Sequence, residues 1–155
     1  MELRWFIVGL LCITALSAQA QDETSEESLV KPRVWKSLSD VAINDRYDAS
    51  VGYEISYPVF GKQAQALDGK TITVKGYMIP FEAYLKPKYF ILSALPIAAC
   101  FFCGGAGPET VMEVFSQENI ELSSEVIQLR GRLELNQNNP DRMMYILHDA
   151  ELIEE

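Results

Sequence analysis

One histidine and three cysteines are all the imidazole and thiol this chain of 155 residues possesses. Without a second histidine it cannot build the usual two-imidazole hydrolytic zinc centre. No Gly-x-Ser-x-Gly stretch occurs, which removes the strained serine turn of the α/β hydrolases. No Gly-x-Gly-x-x-Gly or phosphate loop occurs either: Gly104-Gly105-Ala106-Gly107 has no Lys-Ser/Thr after it. Basic residues are scarce. Thirteen Lys and Arg face 22 Asp and Glu, a net charge of −9, and such a surface repels phosphate backbones, so no nucleic-acid partner is expected. There is no internal repeat and no long helical pattern.

The longest apolar run, Trp5 to Leu16, lies at the start of the chain behind Glu2 and Arg4. It is shorter than the roughly 20 residues that cross a bilayer. Ala18-Gln19-Ala20 is a small-x-small cleavage signal, so residues 1–20 read as a secretory signal peptide. Leu11 stands before Cys12, where lipidation needs a small residue. Cleavage after Ala20 removes Cys12, leaves the net charge unchanged and leaves no integral membrane segment. The expected location is periplasmic or secreted, with two cysteines, Cys100 and Cys103, in a compartment that favours oxidation. Residues 21–33 are polar and acidic without apolar period and read as a flexible N-terminus. Residues 34–155 then form one domain of ordinary size. Paired carboxylates such as Glu26-Glu27 and Glu154-Glu155 sit near the chain ends and read as solvating charge.

Within that domain, Val34, Leu38 and Val41 recur at helical spacing beside Trp35. From Gly52 the pattern becomes that of strands. Tyr53–Tyr57 alternates up to Pro58, residues 66–70 form a turn, and Thr71–Pro80 is β-branched and alternating. Tyr89–Ser93 reads as a buried strand. Residues 109–115 read as a short helix begun by Pro108, since proline fits a first helical turn. Over 125–135 one face carries Ile127, Leu129, Leu133 and Leu135, while the other carries Gln128, Arg130, Arg132 and Glu134. The first face should be buried and the second wet. A loop of turn formers at 136–141 leads to a returning strand from Met143 to Leu147, extended by 150–153. The chain is therefore expected to be mainly β: a small OB-like barrel of about five strands with one or two short helices. Gly76 and Gly131, each central in a long strand, suit the sharp bends of a barrel.

Distinctive chemistry is confined to Ala98 through Thr110. Cys100 and Cys103 are separated by Phe101 and Phe102, and a glycine-rich stretch follows. The spacing lets both sulfurs address one centre. The glycines let backbone N–H groups approach a thiolate and lower its pKa. Four readings stand open. The pair is a closed structural disulfide; or it ligates a metal, zinc or copper; or it exchanges disulfides as an oxidoreductase; or it is incidental. Zinc needs further ligands. His148 is the only imidazole available; it shares strand parity with Met144, Ile146 and Ala150, and Glu109, Asp149 and Glu151 are weaker candidates. Cuprous copper accepts thiolates with thioethers, and Met78, Met112, Met143 and Met144 are at hand. No residue set points to catalysis, so the function expected is non-enzymatic binding.

Asp68–Pro80, with Gly76-Tyr77-Met78-Ile79-Pro80 as its most specific stretch, resembles an uncharacterised family of exported Gram-negative bacterial proteins, as do Cys100, Gly131–Asn136 and Tyr145-Ile146-Leu147. The resemblance implies an exported OB-like β domain whose partner is a cell-envelope protein or a transporter. Where many such relatives are proline-rich after the first cysteine, this chain has Phe101-Phe102-Cys103-Gly104-Gly105.

Overall fold

The computed structural model describes residues 33–49, 52–79 and 87–153. The expected signal peptide and, Arg33 apart, the acidic N-terminus lie outside these residues. In chain order the elements are α1 (Arg33–Leu38), β1 (Val41–Asp48), β2 (Tyr53–Phe60), α2 (Lys62–Gln65), β3 (Thr71–Ile79), β4 (Tyr89–Ser93), β5 (Val111–Ser116), β6 (Val126–Leu135) and β7 (Tyr145–Leu152). Strands β3 to β7 close into a five-stranded barrel in the order β3-β4-β5-β7-β6, and β1 and β2 pair only with each other. Neighbours in the barrel are antiparallel except β5 and β7, which run parallel. The expected small OB-like barrel is therefore what the chain forms, with two short α-helices among the described residues. None of the described helices is long and apolar enough to cross a membrane.

Alternation along each strand fills the barrel. Val74, Phe90, Leu92, Met112, Val114, Leu129, Leu133 and Leu147 are fully buried within one cluster. Helix α1 closes one end with Val34 and Leu38, and Phe60 and Ala64 join the same cluster. Two hydrogen bonds fix that lid: Trp35 Nε1 donates to the Lys75 carbonyl at 2.8 Å and the Tyr145 hydroxyl to the Leu38 carbonyl at 2.5 Å. Burial pushes the Tyr145 phenol above its ordinary pKa, so it stays a donor.

The glycine expectation holds for a definite reason. A Cβ at Gly76 would lie 2.6 Å from the Ser93 carbonyl oxygen, and one at Gly131 would lie 2.7 Å from that of His148. The backbones approach too closely for any side chain. Gly131 also faces a register shift between β6 and β7. There Asp149 takes a positive φ of 53°, and the extra residue flips the strand's parity. His148, ahead of the extra residue, points outward with Ile146, while Ala150 beyond it points into the core, which corrects the single shared face read from their spacing.

Three further expectations are corrected. The first helix stops at Leu38, and Val41 opens β1; β1 is almost wholly exposed, so no burial period marked it. Residues 109–115 are not helical: a 3₁₀ turn over Pro108–Thr110 runs into β5. Val111, Glu113 and Phe115 alternate with the core residues Met112 and Val114, and pairing with both β4 and β7 overrides the helix signal of Pro108. Gln128, expected on the wet face, is buried, and its side-chain oxygen has no hydrogen-bond partner.

Replacing Tyr145 by Phe strands the Leu38 carbonyl in the core. A loss of about 1–3 kcal/mol in unfolding free energy is expected, read by urea denaturation. An unchanged midpoint would show that the bond to α1 does not stabilise the lid.

Candidate functional site

The outer face of the barrel holds the cysteines. Cross-strand pairing lines up Ile79, Ile91, Glu113, Ile146 and Glu134 over five strands. The loop between β4 and β5 folds back over this row. Its base is closed by a hydrogen bond from the Ala94 N–H to the Thr110 carbonyl. Cys100 sinks into a second small apolar cluster with Ile79, Ile91 and Val111, and Met143 packs against that cluster. Cys100 is only 1% exposed, whereas Cys103 is exposed.

Two 3₁₀ turns, Ile97–Ala99 and Phe101–Cys103, carry the motif. The Cys103 and Gly105 N–H groups both donate to the Cys100 carbonyl, and that of Gly104 donates to Phe101. A Cβ on Gly105 would meet the Ala99 backbone at 2.6 Å, so glycine is required by the tightness of this turn. The Gly104 and Gly105 N–H groups, expected to stabilise a thiolate, are thus spent inside the loop. The two cysteines are unbridged. Desolvation first, then the hydrogen-bonding and charge influence of neighbouring Cys100, push the Cys103 thiol above its ordinary pKa. That is the reverse of the lowering expected from the glycines.

The third residue of the anticipated metal set does not join the thiols. Among the described residues no group of three or more His, Cys, Asp or Glu is placed to hold a metal. His148 has its Nε2 2.7 Å from Glu134 Oε2, and its ring stacks on Phe115 at 5.9 Å.

Beside the loop lies a cleft of about 470 Å³. Its walls include Tyr57 and Pro58 of β2, Tyr89 of β4, Phe101 of the cysteine loop, and Arg142 and Met143 of the β6–β7 loop. Its floor carries Glu113, which is 3% exposed. One carboxylate oxygen accepts from Arg142 Nε at 2.6 Å and the other from the Met143 N–H at 2.7 Å. The Arg142 guanidinium rests over the Phe115 ring at 5.0 Å, and its hydrogen bond to Glu113 raises its pKa further. Asn136 ties the loop together, its side-chain nitrogen donating to the Asn139 and Met143 carbonyls. Glu113 and Arg142 had not been singled out from the sequence. A carboxylate alternating with Val111 and Phe115 was the available signal for the first; Arg142, in a loop of turn formers, gave none.

In the folded protein iodoacetamide should alkylate Cys103 and spare Cys100. Because only the thiolate reacts, the Cys103 rate should keep rising with pH beyond the ordinary value of 9.0. A rate that levels off near neutrality would contradict the raised thiol and restore a disulfide-exchange role.

No known family and no curated protein sequence matches the chain. Among solved structures, a DUF3299 family protein from Pseudomonas aeruginosa superposes with a TM-score of 0.46 at 16% identity, over 63% of this chain and 68% of that one.

Proposed function

We propose that this chain is a periplasmic or secreted, non-enzymatic binding protein of the cell envelope, and that the cysteine loop with its adjoining cleft receives a partner protein. The observation that carries this reading is the loop's exposed apolar surface. Ile97 is 58% exposed, Phe101 38% and Phe102 49%, yet the backbone beneath them is held by its own turns and by the burial of Cys100. Ordered apolar side chains presented to water beside a cleft mark a contact surface. Two general arguments support it. The N-terminal residues have the pattern of an export signal. Small barrels of the OB type bind on their second and third strands and the adjoining loops, which here are β4, β5 and the β6–β7 loop; this is an analogy of fold.

Thiol–disulfide exchange is the less favoured reading. Its motif normally opens a helix after a strand, while this one lies in 3₁₀ turns within a loop, and its exposed thiol is raised. A disulfide closed between the same residues would only reinforce the anchor beneath the aromatics.

A photo-crosslinking residue placed at position 102 in the exported chain should give a discrete adduct with one envelope protein in living cells. Phe101→Ser should remove the adduct, and a probe at exposed Lys70 should give none. Equal, diffuse labelling from both positions would sink the reading.

A further inference from the structure

We infer that the sulfurs of Cys100, Cys103 and Met143 form a site for cuprous copper. The inference rests on the reading of this loop as a binding site and names an inorganic ligand for it. Three observations carry it. A 3₁₀ turn folds Cys103 back onto Cys100, its N–H donating to the Cys100 carbonyl at 3.1 Å, so both side chains can turn to one ion. Cys100 lies within an apolar cluster, and the side chain that packs on that cluster from the facing loop is a thioether, Met143. Met143 is also held in place, because its N–H is bound by the buried Glu113 carboxylate at 2.7 Å.

The donors available decide which ion fits. Zinc takes four ligands, most often thiolates and imidazoles. Here no third His, Cys, Asp or Glu accompanies the thiols among the described residues. The single histidine is engaged by Glu134. Both oxygens of buried Glu113 are committed to Arg142 and Met143, so that carboxylate is not free to ligate. Calcium and magnesium require several oxygens. Soft sulfur donors of the thiolate and thioether kinds select cuprous copper, which is content with two or three of them. Loading breaks two S–H bonds, forms two S–Cu bonds and releases two protons to solvent. Copper stays monovalent, so no electron donor takes part once the pair is in its dithiol form. Exposed Cys103 gives the ion its path in, and the Ile79, Ile91 and Val111 wall behind Cys100 shields it.

The test is an anaerobic titration of the reduced full-length protein with cuprous ion delivered from a bicinchoninate complex. One equivalent should bind, with ultraviolet thiolate-to-copper absorption. Cys103→Ser, at an exposed position that leaves the core intact, should weaken binding at least about a hundredfold, and the near-isosteric Met143→Leu about tenfold. Monovalent silver should displace the copper and zinc should not. Binding unchanged in Cys103→Ser or in Met143→Leu, or zinc held as tightly as copper, would overturn the site. Phe101→Ser, with the crosslinking residue kept at position 102, should lose the envelope-protein adduct and keep its copper, so the partner reading and the copper reading fail separately.

Discussion

A buried carboxylate organises the working face of this protein. Glu113 projects from β5 into a row of isoleucines on the outside of the barrel, where an unpaired charge would cost several kcal/mol. It is tolerated because the β6–β7 loop comes to it, offering the Arg142 guanidinium to one oxygen and the Met143 N–H to the other. That demand fixes the loop. Once it is fixed, Met143 covers the cluster in which Cys100 is buried, and Arg142 and Met143 form a wall of the cleft. The cysteine loop and the β6–β7 loop are far apart in sequence and share this one support.

The barrel supplies the rigidity the arrangement needs. Its interior is apolar and buried, and its strands carry two faces with different tasks. Inward residues make the core; outward residues on β4, β5 and β7 make the platform. The bulge opposite Gly131 follows the outward-facing His148 and turns Ala150 into the core at the end of β7. His148 then has Glu134 and Phe115 for company and not the thiols.

Much of the fold was legible because burial imposes a period of two. The strands over 71–79, 89–93, 126–135 and 145–152 all declare themselves by alternation or by β-branched runs, and they are barrel strands. What escaped was set by tertiary contact. Residues 109–115 read as helical behind Pro108, but neighbours on both sides claim Val111–Ser116 as a strand. β1 left no trace because its only partner is β2 and little of it is buried. The site was half legible. The spacing of Cys100 and Cys103 put two thiols in one loop, and the structure holds both there, unbridged. The glycines were misread as thiolate stabilisers, because nothing in their spacing says that their N–H groups close the turns. His148 stood out by scarcity alone, and Glu113 was masked because its segment read as a helix, where a lone carboxylate usually faces water.

Amide hydrogen exchange of Glu113→Gln beside the parent protein tests the shared support most directly. The account predicts faster exchange in two separate segments, 136–144 and 97–105, with the barrel strands unchanged. Acceleration confined to 136–144 would show that the cysteine loop holds itself in place without the Glu113 carboxylate, and would contradict the account.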